Sequence, residues 1–198
     1  KCVQVWVNEL RLTEFQSEGG SAALAQAQVQ IADFANVQLA GAYRGLNWGS
    51  IDSRVSDRQR DTRLNFDLSA NAQLGQLLGD KVKVDIPFLY TYSVGTINPR
   101  FDPYNPDIEL SSYDPEERRQ RTRDGRDFDS RRSFNFTNVR KARKPGSDAH
   151  IWDISNFAFN YSYSENLMQD FRTNYDRTKI WKGGVNYVFN GSPKLIEP

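Results

Sequence analysis

Two residue types that carry much protein chemistry are nearly missing. One cysteine, Cys2, and one histidine, His150, stand among 198 residues. Disulfide frameworks need paired cysteines and structural zinc needs Cys/His clusters, so both are excluded. An excess of charge of one sign is also lacking: 26 Lys and Arg face 25 Asp and Glu, a net charge of +1. Nucleic-acid binding is not expected, because it asks for a basic footprint. Apolar residues make up 38% of the chain, below the usual globular share, and mean hydropathy is -0.71. No continuous apolar run approaches the roughly 18 residues of a transmembrane helix. That absence leaves a β-barrel open, since its strands show lipid only every second residue. The sequence begins at Lys1, and a piece of a longer polypeptide is expected, with Cys2 near a fragment end rather than a lipid-anchored residue.

What is present is alternation. Between residues 63 and 94, Leu64, Phe66, Leu68, Ala70, Ala72 and Leu74 are apolar, and Asn65, Asp67, Ser69, Asn71 and Gln73 between them are polar. After a break at residues 75–80 the pattern restarts with Val82, Val84, Ile86, Phe88, Tyr90, Tyr92 and Val94. Period two sorts side chains onto the two faces of a strand and would scatter them around a helix. Two strands joined by a Gly-containing loop of about six residues make a hairpin. Each strand is about ten residues or longer, beyond the usual five or six and matched to a tilted bilayer crossing.

The same period recurs elsewhere. Residues 3–15 read as a strand, and 17–21 as a turn at Gly19-Gly20. In residues 23–31 the strict alternation of Gln favours a strand over the helix that the alanines would permit. A turn at 33–36 leads to a strand over 37–44, and 45–61 is a loop holding Trp48 as an anchor or packing plug. Residues 132–139 form a strand with Phe134 and Phe136 on one face. In 156–164, Phe157, Phe159, Tyr161 and Tyr163 alternate with small or polar residues. Residues 165–169 turn, and the return strand starts with Phe171, Thr173 and Tyr175. It is interrupted at 176–178 and resumes with Trp181, Gly183, Val185, Tyr187 and Phe189.

Candidate chemistry is thin. Asp102, Asn105 and Asp107 offer oxygen ligands to calcium, but a Pro-rich loop with Asp and Asn as turn formers is the preferred reading. Its prolines, Pro99, Pro103 and Pro106, should keep residues 98–107 out of a continuous ladder. Residues 114–132 hold seven Arg against six acidic residues, which nearly cancel. They read as a solvated loop or short exposed helix, with Glu117 and Arg121 one turn apart. His150, Asp153 and Ser155 lie too close together on one strand for a triad, and no nucleophile elbow is present. No enzyme, cofactor or metal is expected.

Tyr and Trp near strand ends suit a membrane interface, where the ring is apolar and its tip wet. The opposite faces carry Asn, Ser, Gln and Gly, and the charges gather mostly in loops. Val5-Trp6-Val7-Asn8-Glu9-Leu10-Arg11-Leu12, residues 32–37, 48–52 and 61–63, Ile86-Pro87, Tyr104-Asn105-Pro106-Asp107-Ile108-Glu109-Leu110 and residues 133–139 together resemble the SprA/Sov family. That family comprises giant outer-membrane translocons of the type 9 secretion system of Gram-negative Bacteroidota, also needed for gliding motility. The resemblance runs in order through nearly the whole chain.

It implies an all-β fold, with long antiparallel amphipathic strands forming part of a large transmembrane β-barrel with long polar loops. Loops are expected near 45–61, 98–131 and 140–150 of a single segment spanning 1–198. Phe88, Tyr90, Tyr92, Phe157, Phe159, Tyr161, Tyr163, Trp181, Tyr187 and Phe189 are the candidate barrel-wall aromatics. The implied partners are secreted cargo proteins, a PorV-type outer-membrane protein, a periplasmic plug protein and outer-membrane lipid. At 198 residues the chain is too short to close a wide pore by itself. The alternatives are a soluble β-sandwich that binds carbohydrate or protein through its Tyr/Trp surface, and, more remotely, a carbohydrate-active hydrolase, for which no carboxylate pair is marked.

Overall fold

A computed structural model describes residues 19–54, 57–79, 82–143, 146 and 149–190. The strand expected over 3–15 and the first of the matching segments lie outside these residues. The alternating stretches form one antiparallel sheet: β1 (Ala22–Ile31), β2 (Ala35–Arg44), β3 (Asp61–Gln73), β4 (Val84–Asp85), β5 (Pro87–Pro99), β6 (Asp127–Lys141), β7 (Phe157–Gln169) and β8 (Asp176–Tyr187). The long strands pair in chain order, with β1 and β8 at the two edges and β4 beside β6. Antiparallel pairing of successive long strands needs only local connections; the short β4 is the exception and reaches past β5 to pair with β6. The sheet is open.

It is also a single layer. Among the described residues the one buried apolar side chain is Leu110. A β-sandwich would need a second sheet packed about 10 Å away, and the described residues form one.

Several boundaries differ from expectation. In the 63–94 hairpin, residues 82–86 do not join the ladder with β3. Gly75 lies so close to Val84 that a Cβ there would come within 2.0 Å of its carbonyl oxygen, and Leu74 N–H donates to Ile86 O at 2.9 Å. This folds the connection back on itself and hands Val84–Asp85 to β6, making the loop longer than six residues. Asn98 and Pro99 stand opposite Thr62 and Asp61 at the end of the β3–β5 ladder, so the proline-rich loop begins two residues later than expected. β6 starts at Asp127, well before residue 132, because Asp129 and Arg131 fall on the polar side of the alternation.

The largest correction concerns residues 165–178. Glu165–Gln169 continues β7, opposite Phe128–Arg132 and Asp176–Lys179. The turn occupies residues 170–175, and the predicted interruption at 176–178 is the start of β8. Asp170 Oδ1 accepts the N–H groups of Arg172 and Thr173 at 2.8 and 2.6 Å, a local fold that displaces Phe171 and Thr173 from strand geometry. Those backbone donors, Thr173 first, hold the Asp170 carboxyl below its ordinary pKa.

The β6–β7 ladder contains one register shift between Phe136 and Val139. Asn138 there adopts φ +56°, and its N–H donates to Asn160 Oδ1 at 2.8 Å. The extra residue changes parity, so Val139 stays on the face of Phe134 and Phe136.

Candidate functional site

Register converts the alternation into two surfaces. One cross-strand row reads Val29, Val37, Ala70, Tyr90, Phe134, Tyr163, Trp181. The next reads Ile31, Ala35, Ala72, Phe88, Phe136, Tyr161, Gly183. On the opposite face a row reads Gln28, Gln38, Ser69, Thr91, Ser133, Ser164, Ile180, polar up to its last member, with Thr91 and Ser133 hydroxyls 2.7 Å apart. A hollow of about 580 Å³ is lined by Gln26, Gln28, Gln38, Asp67, Ser69 and Thr91 among others. Every candidate aromatic within the strands shares the apolar face; Phe189 lies beyond the end of β8.

The aromatic rings touch across strands. Centroids lie 5.3 Å apart for Tyr90–Phe134, 5.6 Å for Phe134–Tyr163 and 5.5 Å for Tyr163–Trp181. Phe88–Phe136 and Phe157–Tyr187 add pairs at 4.9 and 5.0 Å. Such pairs contribute about 0.5–1.5 kcal/mol each beyond area burial. Yet none of the described residues covers the face: Trp181 is 60% exposed, and Leu64, Phe159, Tyr161 and Val185 are exposed as well. A water-soluble protein rarely leaves a contiguous apolar patch beyond a few hundred Å².

The apolar band is oblique. From β1 to β3 its centre stays level at Ala27, Leu39 and Leu68. Level with Leu68 on the later strands are Tyr92, Arg132, Glu165 and Lys179. On β8, however, the band runs from Trp181 towards Phe189 and centres on Val185, six residues beyond Lys179. That slide of about 20 Å over four strand spacings of about 4.8 Å slopes at about 45°.

Below the row of Trp181 the same face turns ionic. Glu165, 7% exposed, accepts Arg132 Nε at 2.8 Å and the Tyr163 hydroxyl at 2.6 Å, and Arg177 Nε approaches at 3.4 Å. Lys179 stands opposite Glu165 in the ladder. The sequence reading placed charge mostly in loops and missed this group. Its signal was the i, i+2 continuity of Tyr163, Glu165 and Leu167.

Beyond this end of the strands, the β5–β6 connection folds around Asp102, which is fully buried. Tyr104 N–H, the Tyr113 hydroxyl (2.8 Å) and the Arg121 guanidinium all donate to its carboxylate. Arg121 reaches it from α1 (Pro115–Asp124), lies 4.3 Å over the Tyr113 ring, and also pairs with Glu117 at 2.9 Å. Burial pushes the Asp102 carboxyl up, but these donors outweigh it and the net pKa is lowered. With its oxygens committed to donors, Asp102 is the anchor of a rigid loop. Arg100 bonds Glu109 at 2.9 Å, closing the same loop.

At the other end, Asn156 gathers the β6–β7 connection. Its side chain donates to His150 O and Ile151 O at 2.7 and 3.1 Å and accepts from Arg143 at 3.0 Å. His150 stacks on Trp152, with centroids 5.1 Å apart. His150 and Asp153 lie in a turn rather than on a strand, the latter taking the His150 backbone N–H at 2.9 Å. Trp152 is 76% exposed, beside exposed Ile151 and Ile154.

A single antiparallel sheet with one aromatic and one polar surface defines a class, the amphipathic β-sheet proteins. Within it, the family model described as motility related/secretion protein, SprA_N, matches residues 1–113. The chain belongs to that family. No curated protein matches it.

Proposed function

We propose that this sheet is a segment of the wall of an outer-membrane, protein-conducting translocon of the type 9 secretion system. The observation that carries the reading is the sorting of side chains over seven long strands into an aromatic face, uncovered among the described residues, and a predominantly polar face of Gln, Ser, Thr, Asn and a few charges. Lipid takes the first surface without a hydrophobic penalty, and water takes the second. From β3 to β8 the apolar band slopes at about 45° to the strands, which matches the tilt of transmembrane barrel strands. Membership of a motility and secretion family supports the same direction.

The chain would perform no covalent chemistry. The inner wall would be mostly small and polar, with Asp67, Asp129, Arg131 and Lys182 as charges of both signs among Ser, Thr, Asn and Gln, so it would offer passing polypeptides little apolar grip, and secreted cargo and gliding adhesins would slide past. The open edges at β1 and β8 would pair with neighbouring wall strands, since an unpaired edge is untenable in hydrocarbon. A PorV-type barrel and a periplasmic plug would be the partners.

Single cysteines, with Cys2 replaced, at 38, 69, 91 and 162 on one face and at 39, 68, 90 and 161 on the other provide the test. In membranes, a charged maleimide should label the first set and spare the second. Equal labelling of both sets would sink the wall reading and favour a binding module standing in water.

A further inference from the structure

The ionic group on the aromatic face has a chemistry of its own. Arg132, Arg177 and Lys179 surround a single carboxylate, Glu165, so three cations face one anion. Arg132 is held on Glu165 by two guanidinium nitrogens, at 2.8 and 2.5 Å, and Arg177 by one at 3.4 Å. Both arginines remain about half exposed, at 50% and 47%. One carboxylate thus fixes both forks in place without neutralising them. Their outer N–H groups suit the tetrahedral oxygens of a phosphate.

Position narrows the ligand. The group sits next to Tyr163 and Trp181, rings suited to an apolar–aqueous boundary. Measured from Val185 along a strand tilted about 45°, Lys179 lies about 14 Å and Arg177 about 19 Å from the centre of the apolar band. The hydrocarbon half-thickness of a bilayer is about 15 Å. Lys179 and Arg177 therefore fall at headgroup depth, and Arg132, in the Lys179 row two strands nearer the Leu68 centre, lies about 7 Å from the centre, from where its long side chain extends towards that depth. We propose that Arg132, Arg177 and Lys179, arranged by Glu165 beside Trp181, bind the phosphate headgroup of an anionic lipid. This rests on the wall reading, because it requires the aromatic face to meet lipid.

The test replaces Trp181 with the photocrosslinker benzoylphenylalanine in the intact polypeptide, reconstituted in phosphatidylcholine vesicles doped with phosphatidylglycerol. Mass spectrometry of the crosslinked peptide then counts each lipid. Phosphatidylglycerol should be enriched roughly fivefold or more over its bulk share, the scale of one basic residue at an anionic surface. Arg177→Gln with Lys179→Gln should return the ratio to bulk, and Arg177→Lys with Lys179→Arg should keep the enrichment. Circular dichroism checks that each variant is folded. Crosslinking to both lipids in bulk proportion overturns the site and leaves the wall reading standing. Enrichment abolished by added inorganic phosphate assigns the cations to a free anion instead of a lipid. Absence of any lipid adduct overturns the wall reading itself, and the site with it.

Discussion

Arg132 and Glu165 stand directly opposite each other on β6 and β7, Nε to Oε2 2.8 Å, on the face otherwise given to aromatic rings. A charge pair on an apolar surface costs desolvation whether or not it binds anything. Removing one partner is worse, because the other charge is left without its counterion. Glu165→Leu alone should lower the Tm of the detergent-folded protein by about 5–10 °C. Arg132→Met together with Glu165→Leu should recover part of that loss, since Arg177 still lacks its carboxylate. Thermal unfolding of the four proteins in a double-mutant cycle measures the coupling; strict additivity would show that the pair does not interact.

Leu68 and Ser69 are neighbours in sequence and belong to opposite surfaces. If Leu68 meets hydrocarbon at the level where the band is centred, Leu68→Lys should cost about 2–4 kcal/mol of folding stability in lipid, whereas Ser69→Lys should cost well under half of that. Denaturant titration of both variants in the same vesicles checks this. Equal costs would mean that the two faces share one solvent.

The contrast between those two residues was legible in the sequence because period two survives any register, and it located most of each long strand. The errors came where a charge was read as a loop. Glu165 looks like a turn residue in isolation and Arg132 like the first residue of a strand; only the ladder brings them together and lets each satisfy the other. Asp127 and Asp129 were assigned to a polar loop for the same reason, although their alternation with Phe128 and Ser130 continues β6. Val84 and Asp85 fit the hairpin pattern, but the close approach of Gly75 to Val84 sends them to a different neighbour. Asp102 could be read as a turn former, and Tyr104 N–H does close such a turn. Its burial depends on Tyr113 and Arg121, 11 and 19 residues away, a distance that local patterns do not span.

Asp102 makes the loop sensitive to acid. Its pKa in the folded protein lies below the ordinary carboxylate value, so folding favours the ionised form. The sign follows: this contribution is complete above the unfolded value of about 3.9 and is lost as pH falls through the lower folded value. Limited proteolysis of α1 and its flanks should therefore be slow at neutral pH and accelerate below about pH 4. Asp102→Asn should be cut faster at neutral pH, since Arg121 and Tyr113 lose their charged acceptor, and its rate should lose most of the acid dependence. An unchanged pH profile in that variant would place the acid sensitivity elsewhere.

Asn156 makes an independent case at the opposite end of the strands. Its amide donates to His150 O and Ile151 O, and its oxygen accepts from Arg143. The side chain is nearly fully buried, so water does not replace these partners freely. Ile151 O retains the Tyr187 hydroxyl at 2.7 Å, whereas His150 O loses its side-chain donor. His150 O keeps the Asp153 N–H at 3.1 Å, so Asn156→Ala should cost about 1 kcal/mol, the net value of the lost hydrogen bonds. The loss should be local, because the β7–β8 ladder from Phe157 onward does not use that side chain. Hydrogen exchange should rise in residues 149–156 and stay unchanged in β7, with Ser155→Ala as a near-silent control. Faster exchange spreading along β7 would mean that Asn156 supports the strand itself rather than the loop that carries Trp152.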